Sequence, residues 1–136
     1  MAATIRLEII TPERIVYSDD VRMVIGKATD GEIGILPGHA PLVRGLIEHA
    51  LRILKEDQPE SLVAVCGGFM EVQPQKITIL TPCAELPEEI DVKRALAAKE
   101  RAEKRLKSND ENIDMARAEA ALRRAIARLK TAGQLK

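Results

Sequence analysis

Aromatic side chains are almost missing: one Tyr, one Phe and no Trp among 136 residues. Tyr17 and Phe69 both precede residue 88, so the basic carboxy-terminal stretch has no flat side chain on which bases could stack, and nucleic acid is not the partner to expect. No apolar run approaches the ~20 residues that span a bilayer, so any membrane association is expected to be indirect, through partners. The amino terminus passes straight into alternating residues, with neither a signal-like apolar stretch nor an Arg- and Ser-rich transit sequence. Cysteine is scarce as well. Cys66 and Cys83 have no second Cys or His at metal-ligand spacing, and both lie in apolar, strand-like runs. The reading is two free thiols packed as small hydrophobes in a reducing, cytoplasmic compartment, with no metal site. The two histidines, His39 and His49, have no partner with which to build a nucleophilic or acid–base constellation, so no catalytic residue is assigned.

What is present is unevenly spread. Net charge is zero, yet residues 1–87 carry 8 basic and 12 acidic side chains, and residues 88–136 carry 13 basic and 9 acidic. All seven prolines and seven of the eight glycines also precede residue 88. This shift divides the chain into residues 1–85 and 86–136.

The first part alternates. Ile5, Leu7 and Ile9 oppose Arg6 and Glu8; Val21, Met23 and Ile25 alternate again; Ser61–Cys66, Phe69–Val72 and Ile77–Leu80 are apolar runs between turn signals. Leu42–Leu46 and His49–Lys55 read as separate strands, and Gly67-Gly68 as a bulge or close backbone approach. Many short strands at this spacing predict a β-sandwich or barrel. The densest feature is Gly31-Glu-Ile-Gly-Ile-Leu-Pro-Gly-His-Ala-Pro-Leu-Val43, with three glycines and two prolines in thirteen positions. That density describes a shaped turn, and the spacing fits neither a phosphate loop nor a dinucleotide fingerprint.

The second part lacks Gly and Pro from Ile90 to Lys107, and Val92, Ala95, Leu96, Lys99, Ala102 and Leu106 recur at helical steps. Ser108-Asn-Asp-Glu111 fits a capping box, after which Met115, Ala118, Leu122, Ala125 and Leu129 make a second stripe. The prediction is an antiparallel two-helix hairpin, marginal alone and in need of something to hold it. Folding it about Asn109-Asp110 brings Arg94, Arg124 and Arg128 together beside Asp91. Two readings stay open here. One is a solvated basic face with Asp91–Arg94 and Asp91–Arg128 ion pairs; the other is a site for a phosphate-bearing ligand.

Three stretches, Gly31–Val43, Val65-Cys-Gly-Gly-Phe-Met-Glu-Val72 and Ile90-Asp-Val-Lys-Arg-Ala95, resemble the epsilon subunit of bacterial F-type ATP synthase, over nearly the full length of the chain. The third matches the Ile/Leu-Asp-x-x-Arg-Ala motif of the ATP-binding subset. The resemblance implies an α+β chain, an amino-terminal antiparallel β-sandwich followed by an antiparallel two-helix hairpin. It implies a non-catalytic rotor subunit in the central stalk, on the cytoplasmic face of the bacterial cell membrane. The partners implied are the gamma subunit, the c-ring and the alpha/beta catalytic head, with Glu32, Gly38, His39, Pro41, Leu42 and Phe69 at the c-ring and gamma contacts. ATP, alone or with Mg²⁺, would be a regulatory ligand of the compact hairpin, held by Glu85, Ile90, Asp91, Arg94, Ala95, Arg101, Arg124 and Arg128. An extended hairpin would inhibit ATP hydrolysis through Arg105, Lys107, Arg117 and Arg123 against the beta subunits. The competing expectation is a free-standing β-domain adaptor, or chaperone-like module, that binds acidic partners through its basic hairpin.

Overall fold

A computed structural model describes residues 3–135, so the outermost residues of the two expected parts lie outside it. Eight strands precede two helices: β1 (Ile5–Ile10), β2 (Ile15–Val21), β3 (Met23–Ala28), β4 (Gly31–Ile35), β5 (Leu42–Leu54), β6 (Ser61–Gln73), β7 (Lys76–Leu80), β8 (Ala84–Glu85), α1 (Val92–Lys107) and α2 (Met115–Thr131). A 3-10 turn, Pro87–Glu89, links β8 to α1. The strands form one hydrogen-bonded sheet in the order β2-β1-β7-β6-β5-β3-β4, with β8 on β6. It folds over a shared core as a β-sandwich. Alternation decides which side chains enter: Ile5, Leu7 and Ile9 of β1, Leu51 and Ile53 of β5, and Ile77 and Ile79 of β7 are each at most 1% exposed. Full burial of a side chain of this size contributes about 1.5–3 kcal/mol.

The strand pattern departs from the sequence reading in three ways. Gly31–Ile35, read as part of the shaped turn, is strand β4, paired with β3, because its apolar residues extend along the sheet before Pro37-Gly38 turns the chain. β1 pairs with β7 in parallel, while the other pairings of the described residues are antiparallel. And β5 and β6 are each one long strand where shorter pieces were expected. Gly67 and Gly68 do not end β6; they let it change neighbours, from β8 at Ala64 and Val65 to β7 from Phe69 onward. Gly68 has φ +100°, and a Cβ there would lie 2.1 Å from the Leu80 carbonyl oxygen. Only hydrogen fits.

The free-thiol reading of the cysteines is overturned. Cys66 and Cys83 form a disulfide, with Cα atoms 5.3 Å apart. The β6–β8 register sets Ala64 against Glu85 and Val65 against Ala84, which carries Cys66 to Cys83, and the Cys66 N–H donates to the Cys83 carbonyl at 3.0 Å. A two-residue strand has no readable period, so this proximity left no mark on the sequence. The inference of a reducing compartment from two free thiols falls with it.

His49 is buried on β5 and joins two strands. Its Nε2 accepts from the Lys27 N–H at 3.1 Å, and its Nδ1 lies 2.7 Å from the Ile47 carbonyl, to which it donates. Both nitrogens are thus used by a neutral ring, and burial pushes its proton affinity below the ordinary 6.5.

Two outcomes follow from these contacts. Gly68→Ala is expected to lower unfolding stability by more than about 3 kcal/mol in denaturant titration, because backbone must move at a closed position. For His49 the unfolded chain takes up a proton as pH falls through 6.5, while the folded chain resists it. Its contribution is therefore complete above that pH and is lost below it, at a slope of at most about 1.4 kcal/mol per pH unit. His49→Gln should flatten that part of the thermal-stability profile; an unchanged slope would show that another group sets it.

Candidate functional site

The helical hairpin is built from capped, alanine-faced helices. The Asp91 carboxylate accepts from the Arg94 N–H at 3.1 Å and starts α1; Asp114 does the same for Arg117 at 3.1 Å and starts α2. The capping box expected at Ser108–Glu111 is not formed. Ser108 instead closes α1, and its Oγ accepts from the Asp110 N–H at 3.1 Å. The competition is local: a serine oxygen reaches the amide two residues on before a helix can start there. Ala95 and Ala102 of α1, and Ala118 and Ala125 of α2, are buried as the stripes predict, so the helices approach closely. Leu96 and Met115 are largely exposed, against expectation. α2 lies on β5 and β6, with Ala127, Leu129 and Thr131 also buried, and α1 packs on α2.

Two carboxylates on the sandwich hold α2 in place. Glu48 of β5, with a side chain 15% exposed, accepts from Arg123 Nε at 2.9 Å and lies 4.0 Å from Arg124 Nη1. Glu85 of β8 accepts from Arg128 Nε. These pairs replace the Asp91–Arg128 pair of the solvated-face reading, because Asp91 is committed to its cap and Glu85 is the carboxylate within reach. Glu48 and Glu85 face one helix from two different strands, a relation that only the sheet register creates.

The residues assigned to a nucleotide therefore fall into two groups. Glu85, Arg124 and Arg128 belong to the docking contacts between α2 and the sandwich. Ile90 and Asp91 lie at the start of α1, Ala95 is buried, and Arg94 and Arg101 are exposed on α1 with no ion pair among the described residues. A phosphate chain reaching Arg124 and Arg128 has to share them with Glu48 and Glu85, whereas Arg94 and Arg101 are available to it.

The residues assigned to inhibition divide too. Arg105 and Arg117 line one cleft of about 350 Å³ at the hairpin turn, and Lys107 is exposed beside it. Arg123 stands apart, bound to Glu48 and lining a second cleft of about 550 Å³ between α2 and the β3–β5 edge. Glu32, on β4, lines that same cleft and lies 3.8 Å from Arg52.

That loop lies elsewhere. The Gly38 N–H donates to the Pro74 carbonyl at 2.8 Å, which fastens Gly38, His39, Pro41 and Leu42 to the β6–β7 turn. Phe69 is 62% exposed and begins an apolar row that the sequence reading did not assemble. Ladder partners run Phe69–Leu80 and Leu80–Ile10, then Ile10–Ile15, across four strands. Leu80 is 50% and Ile15 57% exposed, and Val43 on β5 is 65% exposed. The available signal was parity: with Ile77 and Ile79 inside, Leu80 faces outward.

Comparisons agree over the whole chain. Residues 4–87 match the family model of the ATP synthase delta/epsilon chain β-sandwich domain, and residues 88–133 match that of the delta/epsilon chain long α-helix domain. The ATP synthase epsilon chain of Desulforudis audaxviator is 54% identical over 134 residues, covering 98% of this chain and 97% of that one. The epsilon chain of Brevibacillus brevis is 56% identical over 100 residues, covering 74% of this chain and 76% of that one. Among solved structures, a chain of the mitochondrial ATP synthase OSCP/F1/c-ring assembly of Euglena gracilis superposes with a TM-score of 0.79 at 27% identity, over 96% of this chain and 81% of that one. A chain of the Tetrahymena thermophila central stalk and c-ring shares the fold, with a TM-score of 0.58 at 17% identity, over 97% of both chains. With a sandwich and a hairpin each matched along nearly all of their length, the chain belongs to the ATP synthase delta/epsilon family.

Proposed function

We propose that this chain is a non-catalytic rotor subunit in the central stalk of an F-type ATP synthase. It couples proton-driven rotation to ATP synthesis and restrains ATP hydrolysis through its helical hairpin. The observation that carries this reading is the two-part match combined with a hairpin held to the sandwich mainly by one face of α2. The sandwich supplies the static contacts. Its apolar row, Phe69, Leu80, Ile10 and Ile15, with exposed Val43 nearby on β5, fits the gamma subunit, since exposed apolar side chains in one row favour a protein partner. The loop at Gly38–Leu42 fits the c-ring. No helix among the described residues is long and apolar enough to cross a membrane, which suits a peripheral place on the cytoplasmic face, reached through the complex.

The hairpin supplies the regulation. A face of alanines and two carboxylate–arginine contacts bind it less firmly than a core would. Released, it would present Arg105, Lys107 and Arg117, with Arg123 freed from Glu48, to acidic surfaces of the catalytic head. ATP binding by the compact state would oppose release by differential affinity. Arg94, Arg101, Arg124 and Arg128 would face the phosphates, with Glu85, Ile90, Asp91 and Ala95 toward the adenosine; Mg²⁺ could accompany the phosphates.

Two measurements test the regulatory part. Calorimetric titration of the chain with ATP should give saturable one-to-one heat that disappears in Arg94→Ala/Arg124→Ala; no heat at millimolar ATP would remove the nucleotide from the reading and leave the arginines to protein contacts. Glu48→Ala should speed hydrogen exchange across α2 about tenfold, equivalent to ~1.4 kcal/mol, with β1 and β7 unchanged. Equal exchange would mean that apolar packing alone holds the hairpin.

A further inference from the structure

The Cys66–Cys83 disulfide lies between the two carboxylates that dock α2. Cys66 pairs across the ladder with Glu48, the acceptor of Arg123 and Arg124. Cys83 precedes by two residues Glu85, the acceptor of Arg128. Both cysteines are half-buried.

The disulfide is a covalent cross-link between the linker and the sandwich, additional to the backbone. Otherwise β8 is held by two residue pairs with β6, by the Cys66 N–H to Cys83 carbonyl bond and by Ala84, a small side chain buried in the core, while beyond it Leu86 packs against the core and Glu89 pairs with Arg14. The Thr81 hydroxyl also donates to that carbonyl at 3.0 Å, and the Thr81 N–H donates to the Ile10 carbonyl at 3.1 Å. A hairpin that leaves the sandwich pivots in the segment joining it to the strands. With the disulfide intact, that pivot cannot move upstream of Cys83, and Glu85 stays under Arg128. Without it, so short a strand can peel back toward Thr81 and carry Glu85 away from α2.

We propose that Cys66 and Cys83 form a redox-sensitive site that sets how readily the helical hairpin is released. The inference rests on reading the hairpin as releasable. The co-reactant is a dithiol. One of its thiolates attacks a cystine sulfur, forming a mixed disulfide and expelling the other cysteine as thiolate, and its second thiol then displaces the remaining cysteine. Two electrons and two protons pass to the chain, which ends with two thiols, and the reductant ends as a disulfide. Oxidised, the linker is stapled and the compact state favoured; reduced, β8 loosens and release is easier.

The test compares the full chain in its oxidised form and after dithiothreitol treatment, by thiol alkylation and native-state hydrogen exchange. Two alkyl groups should add only after reduction. Exchange at Ala84, Glu85 and across α2 should then rise at least tenfold, with β1 and β7 unchanged. Cys66→Ser/Cys83→Ser should behave as the reduced chain and ignore the reductant; if that variant does not fold, the reduced parent carries the comparison. Two reactive thiols persisting after diamide oxidation, or equal exchange in the two redox states, would overturn the proposal. Glu85→Gln, in the oxidised chain, separates the two readings. Faster α2 exchange there, with no response to reduction, leaves the hairpin releasable and overturns the redox site alone. No response to either change overturns both.

Discussion

At Gly68 the backbone of β6 passes so close to the Leu80 carbonyl that no side chain can stand between them. That approach lets one strand serve two neighbours, β8 before the glycines and β7 after them. The sandwich is divided by this change of partner. On the β8 side, β5 and β6 carry α2, and with β8 they hold the disulfide and the two carboxylates that bind the hairpin. On the β7 side lie the Gly38–Pro74 contact and the apolar row through Phe69 and Leu80. A strand ended at the glycines would separate these surfaces; one without them could not turn from one neighbour to the other.

The energetic contrast between the two parts follows from composition. The sandwich buries Ile, Leu, Val and Met from every long strand, so its cohesion comes from large apolar area. The hairpin buries mostly alanine between its helices, and Leu129 is the largest fully buried side chain of α2. Alanine gives close approach and little area. Its attachment therefore leans on Glu48 and Glu85, whose contacts with arginine are partly wet and correspondingly modest.

Period and punctuation made much of this legible beforehand. Strands announced themselves by alternation, the hairpin by its three- and four-residue steps, and the turn at residues 36–41 by its glycine and prolines, although Gly31–Ile35 before it is a strand. The misreadings have local causes. Ser108-Asn-Asp-Glu111 has the composition of a helix start, but the Ser108 oxygen takes the Asp110 amide, and Asp114 starts α2 instead. Cys66 and Cys83 look like isolated small hydrophobes because the strand that joins them is two residues long. Arg123, assigned to the inhibitory contact, pairs with Glu48 in the compact chain, and nothing in the sequence ties residue 123 to residue 48.

By itself the sequence determined the two-part α+β architecture, the faces of its strands and helices, and its family, since these depend on spacing along the chain and on long matched motifs. Tertiary structure alone decided which charges meet. Glu48 with Arg123 and Arg124, Glu85 with Arg128, and Cys66 with Cys83 are set by sheet register and by how α2 lies across it. Pairings over such distances along the chain leave no period to read, because they come from packing in three dimensions and not from neighbours in sequence.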